Sequence, residues 1–420
     1  MAVNKTDIWI YAHWQGLVGP ECIGILSAQR SKGSKVFSFA YNKDWLGTKD
    51  RFVLDPDIDW VTGQQYLSGK DNFGVFMDSM PDTWGRRLMQ RRAAQKALEI
   101  QQPVPSLYEI DYLLGVHDVT RMGALRFKLD PDGPFLDDDR DAPAPPIAHI
   151  RALQESVRAY EMDEDGKHAD KWMHMLIAPG SSLGGARPKA NIVDTKGNLC
   201  IAKFPSKNDT TDKAAWEYLA YRLGLDAGLT LPSCELIKVH GPYRTFLSRR
   251  FDRSGDERIH FASAMTMTGN NEDLIRDSTP SYLDIAEFLQ YSGGKNIEED
   301  LHQLWRRIIF NMTISNTDDH LRNHGFLLNA DGWRLSPAYD LNPSTDKAGL
   351  AINVDSHNNA LDLDLARSVG SYFQLQDAQM ERIIAEVISA VKEWRAVAKD
   401  IGISRAEQEI MSPAFQLGNS

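Results

Sequence analysis

Ile314-Ser315-Asn316-Thr317-Asp318-Asp319-His320-Leu321-Arg322-Asn323 is the stretch on which the fold of this 420-residue chain turns. Upstream, Leu301, Leu304, Trp305, Ile308, Ile309 and Met312 recur at i, i+3, i+4 and i+7, which predicts an amphipathic helix running into it. Downstream, Gly325-Phe326-Leu327-Leu328 and Trp333-Arg334-Leu335 read as two short strands about the turn Asn329-Ala330-Asp331-Gly332. Ser336-Pro337-Ala338-Tyr339-Asp340 follows. An amide oxygen and a carboxylate, such as those of Asn323 and Asp340, are hard ligands suited to Mg2+. Taken singly, each residue has a plainer reading: Asp318 and Asp319 as helix-end or turn residues, Asn323 as a turn former. His320 and His324, four apart, suit a transition metal on a helix face, but HLRNH lacks the Glu of the HExxH motif.

The D-x4-N spacing of Asp318 and Asn323 is that of a kinase catalytic loop. There the Asp takes or orients the hydroxyl proton, and the Asn holds magnesium together with an Asp that follows a hairpin, the place Asp340 occupies. Two features upstream ask for the same explanation. Ser181-Ser182-Leu183-Gly184-Gly185-Ala186-Arg187-Pro188-Lys189 places adjacent glycines where a backbone can turn its N–H groups toward phosphate. It is not a Walker A loop, because Ala186 and Arg187 stand where Lys and Ser/Thr are required. Alone it reads as a tight turn. Lys203 ends the apolar run LCIAKF, eighteen residues past Gly185, and from a strand it can reach α- and β-phosphates. Glu217 on the next helix is its candidate acidic partner. Gly loop, strand lysine, D-x4-N and later Asp, in that order, favour phosphoryl transfer over four unrelated structural roles.

The rest of the chain reads as follows. Ile8–Tyr11, Ile23–Leu26 and Val36–Tyr41 predict strands, and Pro81-Asp82 opens a helix whose Arg86, Arg87, Arg91 and Arg92 give it a basic side. Ser106-Leu107-Tyr108-Glu109 predicts a capping box and a second helix. Five prolines and six aspartates in residues 130–146 predict a surface linker. Helices are expected over 147–161 and 168–178, strands at ANIV and LCIAKF, and a helix from Asp212 to Gly224. Strands are expected again at 234–239 and 245–251, and mostly helix from Ser281 onward, with Ile383, Val387, Ile388, Val391 and Trp394 forming a stripe. The organisation is then an N-terminal subdomain (1–129), the linker (130–146), an N-lobe core (147–252) and a helical C-lobe (253–420). A net charge of −11 makes the chain a poor candidate for holding nucleic acid by itself, which needs a basic face. No run approaches the ~18 apolar residues of a membrane span, and the start MAVNKTDIWIYAHW lacks a secretory h-region. Cys22, Cys200 and Cys234 form no CxxC and no disulfide framework. A soluble, cytoplasmic, two-lobed α+β protein with a cleft is expected.

The motifs SSLGGARPK, IAKFP, SRRFDR, NTDDHLRNHGFLL and SPAYDLNPS resemble the set that marks HipA-type kinases, the toxins of bacterial toxin–antitoxin pairs, and MPDTWGRRLMQRRA resembles that family's N-terminal signature. The resemblance implies a bilobal protein-kinase-like fold, with a mixed α/β N-terminal lobe and a largely helical C-terminal lobe. It implies ATP and Mg2+ in the cleft and transfer to serine or threonine. Asp318 is then the catalytic Asp, Asn323 and Asp340 the magnesium ligands, and His320 a neighbour of the transferred phosphoryl. Lys203, Gly184 and Gly185 take the phosphates, and Arg249 to Phe251 line the adenine through their backbone. Ser182, or the adjoining Ser181, matches the serine that such kinases phosphorylate on themselves. A phosphate of about −2 charge there competes with nucleotide and switches the enzyme off. Arg249 departs from the family's Glu, and Asp319 stands where some members have Gly. The implied partners are a HipB-like helix-turn-helix antitoxin, operator DNA only through that antitoxin, and a translation-related protein substrate such as an aminoacyl-tRNA synthetase. The alternatives are a non-catalytic co-repressor with a kinase-like shape, and a metal-dependent hydrolase built on Asp318, His320, His324 and Asp340.

Overall fold

The computed structural model describes residues 5–31, 34–48, 51–136, 144–162, 176 and 185–419. Its contacts divide the chain into two compact units, Met1–Ala202 with Asp252–Ala262, and Lys203–Phe251 with Ser263–Ser420.

The first unit is built on an antiparallel five-stranded sheet, in the order Gln65–Tyr66, Ser34–Tyr41, Glu21–Ser31, Lys5–Ala12, Leu125–Lys128. Alternation sets its faces: Ile8, Ile10 and Ala12 point inward from the Lys5–Ala12 strand, where Phe37, Phe39, Phe73, Phe76 and Phe127 close the core. Each fully buried apolar side chain of this size contributes about 1.5–3 kcal/mol. The helix expected from Pro81 spans Thr83–Glu99, capped by Asp82, whose carboxylate accepts the Gly85 N–H at 2.9 Å. Its basic side is divided. Arg86 folds onto Glu109 through two 2.7 Å bonds and Arg91 lies over the Tyr160 ring, while Arg87 and Arg92 face outward.

The second expected helix starts later than predicted, at Glu109 rather than near Ser106, and runs to Leu114. Asp111 accepts the Tyr108 N–H at 2.8 Å, so the capping carboxylate lies two residues past Glu109, which Arg86 has claimed. The helix over 147–161 is present as a short 3-10 turn and Ile150–Met162; the helix expected over 168–178 falls almost wholly outside the described residues. The ANIV and LCIAKF strands are Lys189–Val193 and Leu199–Lys203. Asp194 holds their turn by accepting the N–H groups of Lys196 and Asn198.

In the second unit the helix after the strand lysine spans Lys213–Asp226 and passes straight through Gly224. That glycine is not a stop signal. A Cβ there would meet Leu231 Cδ1 at 2.9 Å and Leu229 Cδ1 at 3.3 Å, so its bareness serves packing. Cys234–Ile237 and Thr245–Arg249 form a hairpin. Helices Tyr282–Ser292, Ile297–Thr313, Asp377–Lys392 and Trp394–Ile401 supply most of the remaining core. The stripe from Leu301 to Met312 is fully buried, and Trp394 stacks on Phe415 at 4.4 Å. Gly325–Asn329 pairs with Gly332–Leu335 in the expected hairpin. Among the described residues, no helix is long and apolar enough to cross a membrane, and the three cysteines are free thiols.

Candidate active site

Lys203 is the last residue of its strand, and its side chain is nearly buried. Its ammonium donates to Glu217 Oε1 at 2.5 Å and to Asp340 Oδ1 at 2.7 Å. Burial alone would lower the pKa of this amine, but Asp340 and Glu217 outweigh it and hold the group above the ordinary lysine value. Glu217 is positioned by a helix whose first turn is capped by Asp212, itself bonded to Arg244 at 2.7 Å. Asp340 has φ +58, a left-handed conformation that Asp tolerates better than bulkier residues, and Asn342 Nδ2 donates to the same Oδ1 at 3.1 Å.

The Tyr339 hydroxyl donates to Arg322 O at 2.7 Å, which ties the segment bearing Asp340 to the turn Leu321–Asn323. The Tyr339 ring lies 5.6 Å from that of Phe251, so Phe251 joins the same neighbourhood. Arg249 is exposed, and its backbone N–H is bonded to Ser233 O.

Within the loop, Asp318 is the exposed carboxylate, with Lys347 Nζ 3.8 Å away. Asn323 is buried; its Nδ2 donates to Asp318 O at 3.2 Å, and its Oδ1 has no hydrogen-bond donor. His320 Nδ1 is likewise buried without a partner. His324 is held by the aspartate before His320. Its Nε2 donates to Asp319 at 2.8 Å, and its Nδ1 is buried without a partner. Among the described residues no cluster of three His, Cys, Asp or Glu side chains suited to a metal is gathered. The orphaned amide oxygen of Asn323 and the partly exposed carboxylate of Asp340 are both oxygen donors of the kind Mg2+ takes, an ion that keeps several waters.

Of the Gly-rich stretch, Ser181, Ser182 and Gly184 lie outside the described residues. Gly185, in the first unit, has φ +88, which glycine adopts without strain. Lys189 Nζ approaches Gly185 O at 3.4 Å and pairs with Asp82 at 2.7 Å in a closely buried bridge, while Trp84 Nε1 donates to Lys189 O at 3.0 Å.

Sequence reasoning singled out neither Tyr339 nor Asn342, Asn311, Tyr282 or Lys347 as site residues. One signal was available: Arg307 and Asn311, four apart, stand among the apolar residues of the last turns of the helix, and both are buried.

Known proteins resemble this chain as follows. The sequence profile of the HipA-like C-terminal domain matches residues 181–395. The inferred kinase Y4mE of Sinorhizobium fredii is 24% identical over 370 residues, covering 81% of this chain and 77% of that protein. An inferred kinase of Haemophilus influenzae is 24% identical over 181 residues, 38% of this chain and 52% of its own. Among solved structures, a chain of the Shewanella oneidensis MR-1 HipA, HipB and operator DNA complex matches with a TM-score of 0.64 at 16% identity, covering 98% of this chain and 95% of that one. The fold is therefore the α+β, kinase-like fold of HipA.

Proposed function

The chain belongs to the HipA-like family through its C-terminal domain, and from that membership we propose that it is an ATP-dependent protein serine/threonine kinase acting as the toxin of a toxin–antitoxin pair. One observation carries the reading: the Lys203 ammonium is held between two carboxylates when one would neutralise it. Asp340, 28% exposed against 7% for Glu217, is the one open to a further cation. Asn323 and Asp340 would hold Mg2+. When bound, the ion neutralises charge on the transferring phosphate oxygens.

The chain's own residues supply the rest. Glu217 orients Lys203 toward the α- and β-phosphates of ATP. Asp318, exposed at the loop's tip, accepts the proton of the incoming serine or threonine hydroxyl. His320 steadies the transferred phosphoryl, Gly184 and Gly185 offer N–H groups to phosphate, and the backbone of Arg249 to Phe251 takes the adenine edge. Ser182 or Ser181 is the self-phosphorylated residue. The working partner is a HipB-like helix-turn-helix antitoxin, whose basic surface suits a chain of net charge −11, with operator DNA reached only through it. The protein substrate is a component of translation, with an aminoacyl-tRNA synthetase as first candidate, and the protein acts in the cytoplasm.

Induced expression in a bacterial host, with nucleotide binding on the purified protein, tests this. Wild type arrests growth, and Asp318→Ala and Asp340→Ala do not. Asp318→Ala binds Mg-ATP within about threefold of wild type, while Asp340→Ala weakens it by about tenfold or more. Growth arrest that survives both substitutions would sink the kinase-toxin reading. ATP binding without transfer favours the co-repressor, and no nucleotide binding favours the hydrolase.

A further inference from the structure

Asp318 and Asp319 are adjacent in sequence and opposite in surroundings. The Asp318 side chain is 78% exposed and that of Asp319 3%. Asp319 Oδ2 accepts from the Tyr282 hydroxyl, from Asn311 Nδ2 at 2.8 Å and from His324 Nε2 at 2.8 Å. The donors come from two helices, Tyr282–Ser292 and Ile297–Thr313, and from the residue that follows the 3-10 turn.

Each donor is itself oriented. Asn311 Oδ1 accepts from Asn316 Nδ2 at 3.0 Å, which fixes the amide with its nitrogen toward Asp319. The Tyr282 and His324 rings meet edge to face at 5.5 Å, and His324 O accepts the Ala264 N–H. The Asn316 N–H bonds Asn311 O at 2.8 Å. The loop is thus pinned at its start, middle and end by one buried cluster. Burial would raise the pKa of Asp319, but His324 and the Tyr282 hydrogen bond reverse this and keep it ionised. Arg307, one turn before Asn311 and donating to Ser336 O, adds a favourable charge.

None of these groups is exposed, so the cluster does not itself meet a substrate. It acts through its neighbours. Asp318 precedes Asp319 directly, and Asn323 Nδ2 holds Asp318 O, so a shift at Asp319 moves both.

We propose that Asp319 is the positioning residue of the loop, and that the Asp319–Tyr282–Asn311–His324 cluster sets turnover in phosphoryl transfer rather than affinity for nucleotide. The inference rests on the kinase reading and deepens it. A misplacement of about 1 Å at a reacting group costs on the order of a hundredfold in rate.

The test compares wild type, Asp319→Asn and Tyr282→Phe in the full chain, with kcat and KM for transfer, the Mg-ATP dissociation constant, and near-UV circular dichroism. Asp319→Asn is expected to lower kcat about a hundredfold and Tyr282→Phe about tenfold, with Mg-ATP binding within about twofold of wild type and a native spectrum. A merely structural residue would lower the folded fraction and leave turnover per folded molecule unchanged. That result in both variants overturns the proposal. Should Asp319→Asn fail to fold, the isosteric Tyr282→Phe carries the comparison alone. A wild type that binds Mg-ATP but transfers nothing overturns the kinase reading itself, and this inference with it.

Discussion

Two lysines fourteen residues apart, Lys189 and Lys203, lie in different units and are neutralised in different ways. Lys189 pairs with Asp82, and that carboxylate also caps a helix, so the bridge ties strand to helix within the first unit. Both side chains are almost wholly buried. Lys203 sits between Glu217 and Asp340, with Asp340 open enough to meet solvent. A closed, matched pair is what packing alone asks for. A lysine shared by two carboxylates, one of them partly exposed, is the arrangement on which the proposed Mg2+ site rests.

The sharpest way to break that comparison is to remove each lysine in turn. Lys203→Met is expected to cut phosphoryl transfer by about a thousandfold or more, since on the proposed kinase reading it removes the charge that meets the phosphates. Lys189→Met is expected to keep turnover per folded molecule within about tenfold while losing about 3 kcal/mol of stability, because Asp82 loses its buried ammonium partner. Single-turnover assays and urea unfolding read the two effects, and a Lys189→Met protein of full stability and no activity would reverse the assignment.

Asp340→Asn comes next. Neutralising this partly exposed carboxylate should leave the melting temperature unchanged or raise it by a few degrees, while abolishing the Mg2+ dependence of ATP binding. A melting temperature that falls would mean that Asp340 is part of the structural pairing after all.

The two units should also differ in acid. His260, in the first unit, is stacked on Trp14, and burial lowers its pKa to about 3. Its folded value lies below the unfolded value of about 6.5, so its contribution is present above that pH. It is lost as pH falls from about 6.5 toward 3, by about 1 kcal/mol per unit. Asp319 is held below the ordinary carboxylate value, so its contribution persists until the pH falls below about 4. Hydrogen exchange at pH 5 should therefore accelerate in the first unit before the second, and His260→Phe should flatten the difference. Equal loosening in both units would remove His260 as the cause.

The smallest effect belongs to Lys347, whose 3.8 Å approach to Asp318 joins two exposed groups. Lys347→Ala should change stability by less than about 0.5 kcal/mol in a denaturation series. A larger loss would show that Asp318 is held rather than free.

How far the sequence reaches differs between elements and site. Strands Lys5–Ala12 and Ser34–Tyr41 and helix Ile297–Thr313 are legible because their apolar periods are unbroken. Gly224 misleads because a glycine that ends a helix and one that admits a neighbouring leucine look alike until the neighbour is placed. Ser106 misleads in the same way: its box partner Glu109 is engaged by Arg86, twenty-three residues away. In the site, Lys203, Glu217 and Asp340 are each nameable from spacing, but their meeting depends on a contact across 137 residues. The roles of Asp318 and Asp319 are harder still. Two identical residues side by side carry no sign of which one faces inward, and Tyr282 and Asn311, supplied by other helices, decide it together with His324.

The most direct test of the central claim is incubation of purified protein, first shown to be unphosphorylated, with Mg2+ and γ-labelled ATP, beside Asp318→Ala. Mass spectrometry then maps the label. The kinase account predicts label on Ser182 or Ser181 in wild type and none in Asp318→Ala. No label on wild-type protein that binds ATP, or equal label in both, would contradict it.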